Sequence, residues 1–142
     1  MGVVRYAWPA AVSLSLGACT PTGPRLGKPQ AGVSVHQFTA GPNDLWTYAL
    51  SQGGEFDRAT VETIVDWTSP SNDIDVAFLR GQFSKEQLVG MSTLPSVLGQ
   101  SATKAKPERL VVSIERGDYT VVVINRGPSA DSGTLQMSFR FD

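Results

Sequence analysis

The chain has 142 residues, a formal charge of −1 at pH 7, one Cys and one His. That length fits one domain with a core of its own, and the near-neutral balance excludes a nucleic-acid binder, which needs a basic face against phosphate. A single Cys excludes an intrachain disulfide and a cysteine-cluster zinc site, and a single His limits imidazole chemistry to one general base.

Residues 1–18 read MGVVRYAWPAAVSLSLGA, with Arg5 as the one cation ahead of an uncharged run from Tyr6 to Ala18. The run is shorter than the roughly 20 residues a helix needs to cross a bilayer. It predicts a signal peptide rather than an anchor helix. Leu16, Gly17 and Ala18 directly before Cys19 resemble the lipobox of bacterial lipoproteins. The resemblance implies cleavage before Cys19, a lipid of the palmitate type on that residue, and a membrane as partner at the cell envelope. Thr20, where an inner-membrane retention signal has Asp, implies the outer membrane in a Gram-negative host. The alternative is an ordinary secretory cleavage site with an incidental Cys and a secreted product. Residues 19–32, CTPTGPRLGKPQAG, are rich in Pro and Gly. Such a segment cannot bury enough surface to offset its ordering entropy, so it is predicted to be an extended tether.

From Val33 onward apolar residues recur at every second position, separated by Gly, Pro, Asn, Asp and Ser. VSVHQFTA and LWTYALS are the weaker strand candidates. RATVETIVDWTS sets Val61, Thr63, Val65 and Trp67 on one face, and DIDVAFLRG sets Ile74, Val76 and Phe78 on one face with Asp73, Asp75 and Ala77 on the other. Gly90 and Pro95 limit Ser84–Gly99 to a loop with one short helical turn. Leu110, Val112 and Ile114 alternate, Arg116-Gly117-Asp118 reads as a hairpin turn, Tyr119, Val121 and Val123 resume, and Leu135, Met137, Phe139 and Phe141 close the series. This pattern predicts an all-β domain over residues 33–142: an antiparallel two-sheet β-sandwich, jelly-roll-like, of about seven or eight strands.

The connection VDWTSPSNDIDVAFLRG, together with GDYTVVVINRG and the following SGTL, resembles the bacterial pre-peptidase C-terminal domain. The resemblance spans residues 33–142 and implies an extracellular sandwich of the kind appended to secreted hydrolases, some of whose relatives bind calcium or matrix protein. No catalytic domain accompanies it in this chain, so a role in maturing a linked protease does not carry over.

Candidate chemistry is sparse. Asn72, Asp73 and Asp75 offer oxygens suited to calcium, with Asp44 or Asp118 available to complete a cage from a neighbouring loop. The commoner use of such residues is side-chain to backbone hydrogen bonding in the turn. His36 lacks a nucleophile motif and is expected to face solvent. Glu55 and Asp57 read as loop charge rather than as an acid and base pair. Trp46, Tyr48 and Trp67 fit core packing better than an exposed glycan-stacking surface. Together these readings point to a non-enzymatic, lipid-anchored envelope protein whose sandwich binds or supports another envelope protein or a glycan. The alternative is a calcium-dependent module adhering to matrix or polysaccharide.

Overall fold

The structure, a computed structural model, describes residues 7–8, 30–53 and 57–141. Among the described residues eight strands build two sheets: β1 (Gln30–Ala40), β2 (Asp44–Gln52), β3 (Arg58–Trp67), β4 (Ile74–Arg80), β5 (Val97–Ser101), β6 (Glu108–Glu115), β7 (Gly117–Asn125) and β8 (Asp131–Phe141), with a short helix, α1 (Lys85–Val89), between β4 and β5. One sheet runs β1-β8-β3-β6 and the other β2-β7-β4-β5, with neighbouring strands of these eight antiparallel. Consecutive strands β1 and β2, β3 and β4, β5 and β6, and β7 and β8 fall in opposite sheets. That order is the doubly wound Greek key of a jelly roll. The pair Ala7–Trp8 adds a fifth, parallel member beside Ser51 and Gln52 at the β2 edge.

The alternating residues of the sequence meet between the sheets. Leu50, Val61, Val65, Ile74, Val76, Phe78, Tyr119, Val121, Leu135, Met137, Phe139 and Phe141 are all buried there. Each such aliphatic or Phe side chain contributes roughly 1.5–3 kcal/mol of transfer free energy. The two sheets differ on their outer faces. β6 and β3 alternate buried and open positions, as expected for a sheet with one wet side, whereas β4 is buried at six consecutive positions. The cause is the stretch between β4 and β5, which lays Leu88 of α1, with Phe83 and Leu94, over Ala77, Leu79 and Val122.

The helix is fixed locally. Ser84 Oγ accepts from the Gln87 amide while Gln87 Oε1 accepts from the Ser84 amide, a reciprocal capping box. The same stretch supplies β5, a strand the sequence pattern does not predict, paired to β4 with a register shift between Phe78 and Leu79. β1 starts at Gln30, inside the segment predicted as tether. Cys19 lies outside the described residues, as does Glu55. Among the described residues no helix is long and apolar enough to cross a membrane.

Candidate functional site

Two polar clusters sit side by side where β4 begins, and adjacent residues feed them. Asn72 belongs to the first. It is buried, and its Nδ2 donates to Asp131 Oδ2 at 2.9 Å and to the Ser129 carbonyl at 3.3 Å. Asp131 also accepts from the backbone amides of Thr68, Ser69 and Ser132. Burial alone would raise its pKa, but these donors outweigh it and hold the carboxyl below the usual carboxylate range. Asn125 completes the cluster: its Nδ2 donates to the carbonyls of Ala40, Gly41 and Ser129, and its Oδ1 accepts from Gly127 N. A Cβ on Gly127 would overlap Asn72 Oδ1, so the close approach requires glycine. Asn72, expected either to bind a metal or to serve its turn, is occupied in tying the 68–73 and 126–131 loops together.

Asp73 and Asp75 belong to the second cluster, with Glu108 at the head of β6. One oxygen from each lies within 4.8 Å of the others. Glu108 is buried beneath Ser101 and Thr103: its Oε1 accepts from Ser101 Oγ at 2.7 Å and from Thr103 Oγ1 at 2.6 Å, and its Oε2 from Thr103 N at 3.1 Å. Asp73 is partly open and pairs with the exposed Lys104 at 3.1 Å. Asp75 is 2 % exposed. Its Oδ2 accepts from Arg126 Nε, while its Oδ1 is buried with no hydrogen-bond partner. Burial, the largest cause, and the nearby charges of Asp73 and Glu108 raise the Asp75 pKa against the opposing pull of Arg126.

Asp44 and Asp118, the other acids proposed for a cage, are elsewhere. Asp44 pairs with Lys85 at 2.7 Å, and Asp118 accepts from Ser51 Oγ at 2.6 Å. Glu108 takes the place expected of them. Its signal is in the sequence: it precedes Leu110, Val112 and Ile114 at the same two-residue spacing, so an acid occupies the inward register of an apolar strand. Three carboxylates at this spacing offer hard oxygen donors of the type that calcium takes.

Of the remaining candidate residues, one is placed differently from expectation. His36 does not face solvent. It is half-buried on the inward face of β1 and stacks on Tyr48 with ring centroids 4.1 Å apart, and burial lowers its pKa. The inversion follows from register, since Ser34, His36, Phe38 and Ala40 share the inward face while Val33 and Val35 point out. Tyr48 and Trp67 are buried in the core and Trp46 packs against it, which rules out an open aromatic platform at Tyr48 and Trp67. Asp57 is exposed and pairs with Arg116.

The architecture and strand order define an all-β jelly-roll sandwich. No protein-family model matches the chain and no curated protein does. Among solved structures the chain is similar to the Yersinia pseudotuberculosis-derived mitogen, with 12 % identity, a TM-score of 0.54, and coverage of 76 % of this chain and 86 % of that one. It is also similar to the pre-peptidase C-terminal domain of collagenase from Bacillus anthracis, with 10 % identity, a TM-score of 0.47 and coverage of 75 % and 87 %. A third match is to the Bacillus endospore appendages that form disulfide-linked pili, with 15 % identity, a TM-score of 0.47 and coverage of 80 % and 88 %. The likeness is one of fold.

Proposed function

We propose that this chain is a non-enzymatic, lipid-anchored protein of the bacterial cell envelope, outer-membrane in a Gram-negative host, whose sandwich binds or supports another envelope protein or a glycan. The observation that carries the reading is the order of segments: an uncharged N-terminal run, a small-residue pair before Cys19, a Pro- and Gly-rich stretch, and then a self-contained sandwich. His36, the one imidazole, is stacked inside the fold rather than presented to a substrate, which supports the non-enzymatic reading. Mass spectrometry of the mature N-terminus tests the anchor, with and without inhibition of the lipoprotein signal peptidase. The expected result is an acylated Cys19 as the first residue. An unmodified Cys19 in the mature protein overturns it.

The buried, unpartnered Asp75 Oδ1 inside a three-carboxylate cluster favours a second reading, in which calcium binds Asp73, Asp75 and Glu108. A divalent cation there would offset the mutual repulsion that burial intensifies. Titration calorimetry with calcium chloride on the chain and on its Asp75→Asn variant tests it. Binding heat that the variant loses is expected; no heat at millimolar ion overturns the site.

A further inference from the structure

The sandwich has four outer strands, and the fold treats them unequally. On one side β5 is only five residues long and closes onto β6. The approach is tight enough that a Cβ on Gly99 would lie 2.8 Å from Val112 Cγ1 and 3.2 Å from Leu110 Cδ1. β6 itself carries Glu108, Arg109 and Glu115. On the other side, β2 carries Asp44, whose carboxylate pairs with Lys85 at 2.7 Å. β1 is neither short nor charged. It pairs with β8 along its whole length, from Asp131 opposite Ala40 to Phe141 opposite Gln30, and no strand lies on its far edge among the described residues. Its eleven residues, QAGVSVHQFTA, include no acid, no Lys or Arg and no Pro. Val33 and Val35 on its outer face are 63 % and 55 % exposed. Long, uncharged outer strands with exposed apolar side chains are the ones that recruit another strand, because their free N–H and C=O groups template a new ladder.

From this edge we infer that two copies of the chain associate through antiparallel pairing of β1 with β1 about a two-fold axis, joining two four-stranded sheets into one of eight strands. A second copy suits this edge because isologous pairing sets each residue against residues of the same segment. An uncharged segment does so without like-charge contacts, which a charged edge such as β6 would incur. With Ser34 on the axis, Val33 lies opposite Val35 of the second copy on the outer face, and Val35 opposite its Val33. Both open valines are then covered by a cross-strand apolar pair, the unit that stabilises sheets.

Sedimentation velocity of the full chain across the micromolar range, with hydrogen exchange read on the same samples, tests the inference. A concentration-dependent dimer is expected, with amide protection gained over residues 30–38. The double substitution Val33→Lys and Val35→Lys should weaken association at least about tenfold, because it sets like charges opposite one another across the axis. Val111→Lys serves as a control at a comparably exposed position on β6 and should leave association unchanged. Thermal melts verify that each variant folds, and if the double variant does not fold, the single Val35→Lys chain carries the comparison. A wild-type chain that stays monomeric throughout overturns the inference. So does dimerisation of the folded lysine variant as tight as wild type, or a protected strand other than β1. Binding of an extended foreign peptide at β1 by a chain that never self-associates counts as the first of these outcomes.

Discussion

Residues 72 and 73 are neighbours in sequence, yet they serve opposite kinds of cluster. Asn72 enters a network in which the one carboxylate, Asp131, is matched by backbone and amide donors. Asp73 enters a cluster with three carboxylates, where the buried Asp75 has Arg126 on one oxygen and nothing on the other. The pKa directions reflect this difference, lowered at Asp131 and raised at Asp75. A satisfied network stabilises the fold, whereas an acid-rich one holds a demand that an outside cation can meet.

The contrast can be broken at its strongest point first. Asp131→Ala removes one of the two acceptors of the buried Asn72 amide and an acceptor from each of three backbone amides, and chemical denaturation should show a loss of about 3 kcal/mol. Gly127→Ala pushes a methyl into Asn72, and the same measurement should show a loss of about 2 kcal/mol, because the surrounding amides cannot yield without losing partners. Asp75→Asn in chelator should fall within about 1 kcal/mol of wild type, since the partner guanidinium is half open to water and the substitution also relieves repulsion. The same substitution should abolish any rise in melting temperature on adding calcium. A large loss in chelator would show that the second cluster is as structural as the first.

The smallest effect expected is in the pH profile. Asp131 has a folded pKa below its unfolded value, so its contribution is present above about pH 3.8 and is lost as pH falls through the folded pKa. His36 has a folded pKa below 6.5, so the folded state resists its protonation and stability declines as pH falls from above that value toward the folded pKa. From about pH 7.5 down to about pH 5, a range above the Asp131 window, chemical denaturation should therefore show wild type losing slightly more stability than His36→Gln, while the opposite contribution of Asp75, whose folded pKa is raised, is common to both chains.

Much of the sandwich is legible in period-2 alternation. Val61 to Trp67, Ile74 to Phe78, Leu110 to Ile114 and Leu135 to Phe141 all fall on the faces their spacing predicts. Alternation misses β5, because VLGQS has no repeat long enough to register and its place is fixed by pairing with β4. Register is equally hidden at His36, since VSVHQFTA has open valines at alternate positions and the inward face is the one carrying Ser34 and His36. The acid cluster is half legible. Asp73 and Asp75 lie in one strand, but Glu108 and Arg126 join them only through the jelly-roll winding that brings β6 and the β7 to β8 turn to the start of β4.

The cover formed by Phe83, Leu88 and Leu94 has a kinetic consequence. Because it shields the outer face of β4 and β7 while the other sheet has a wet face, amide protons of Val76 to Leu79 and Val121 to Val123 should exchange with solvent last in the molecule. Among the described residues, the exposed Gly90 and Met91 at the end of α1 offer a protease a place to cut in that cover. A nick there would unseat Leu88 and open the doubly buried sheet before either of its edges separates.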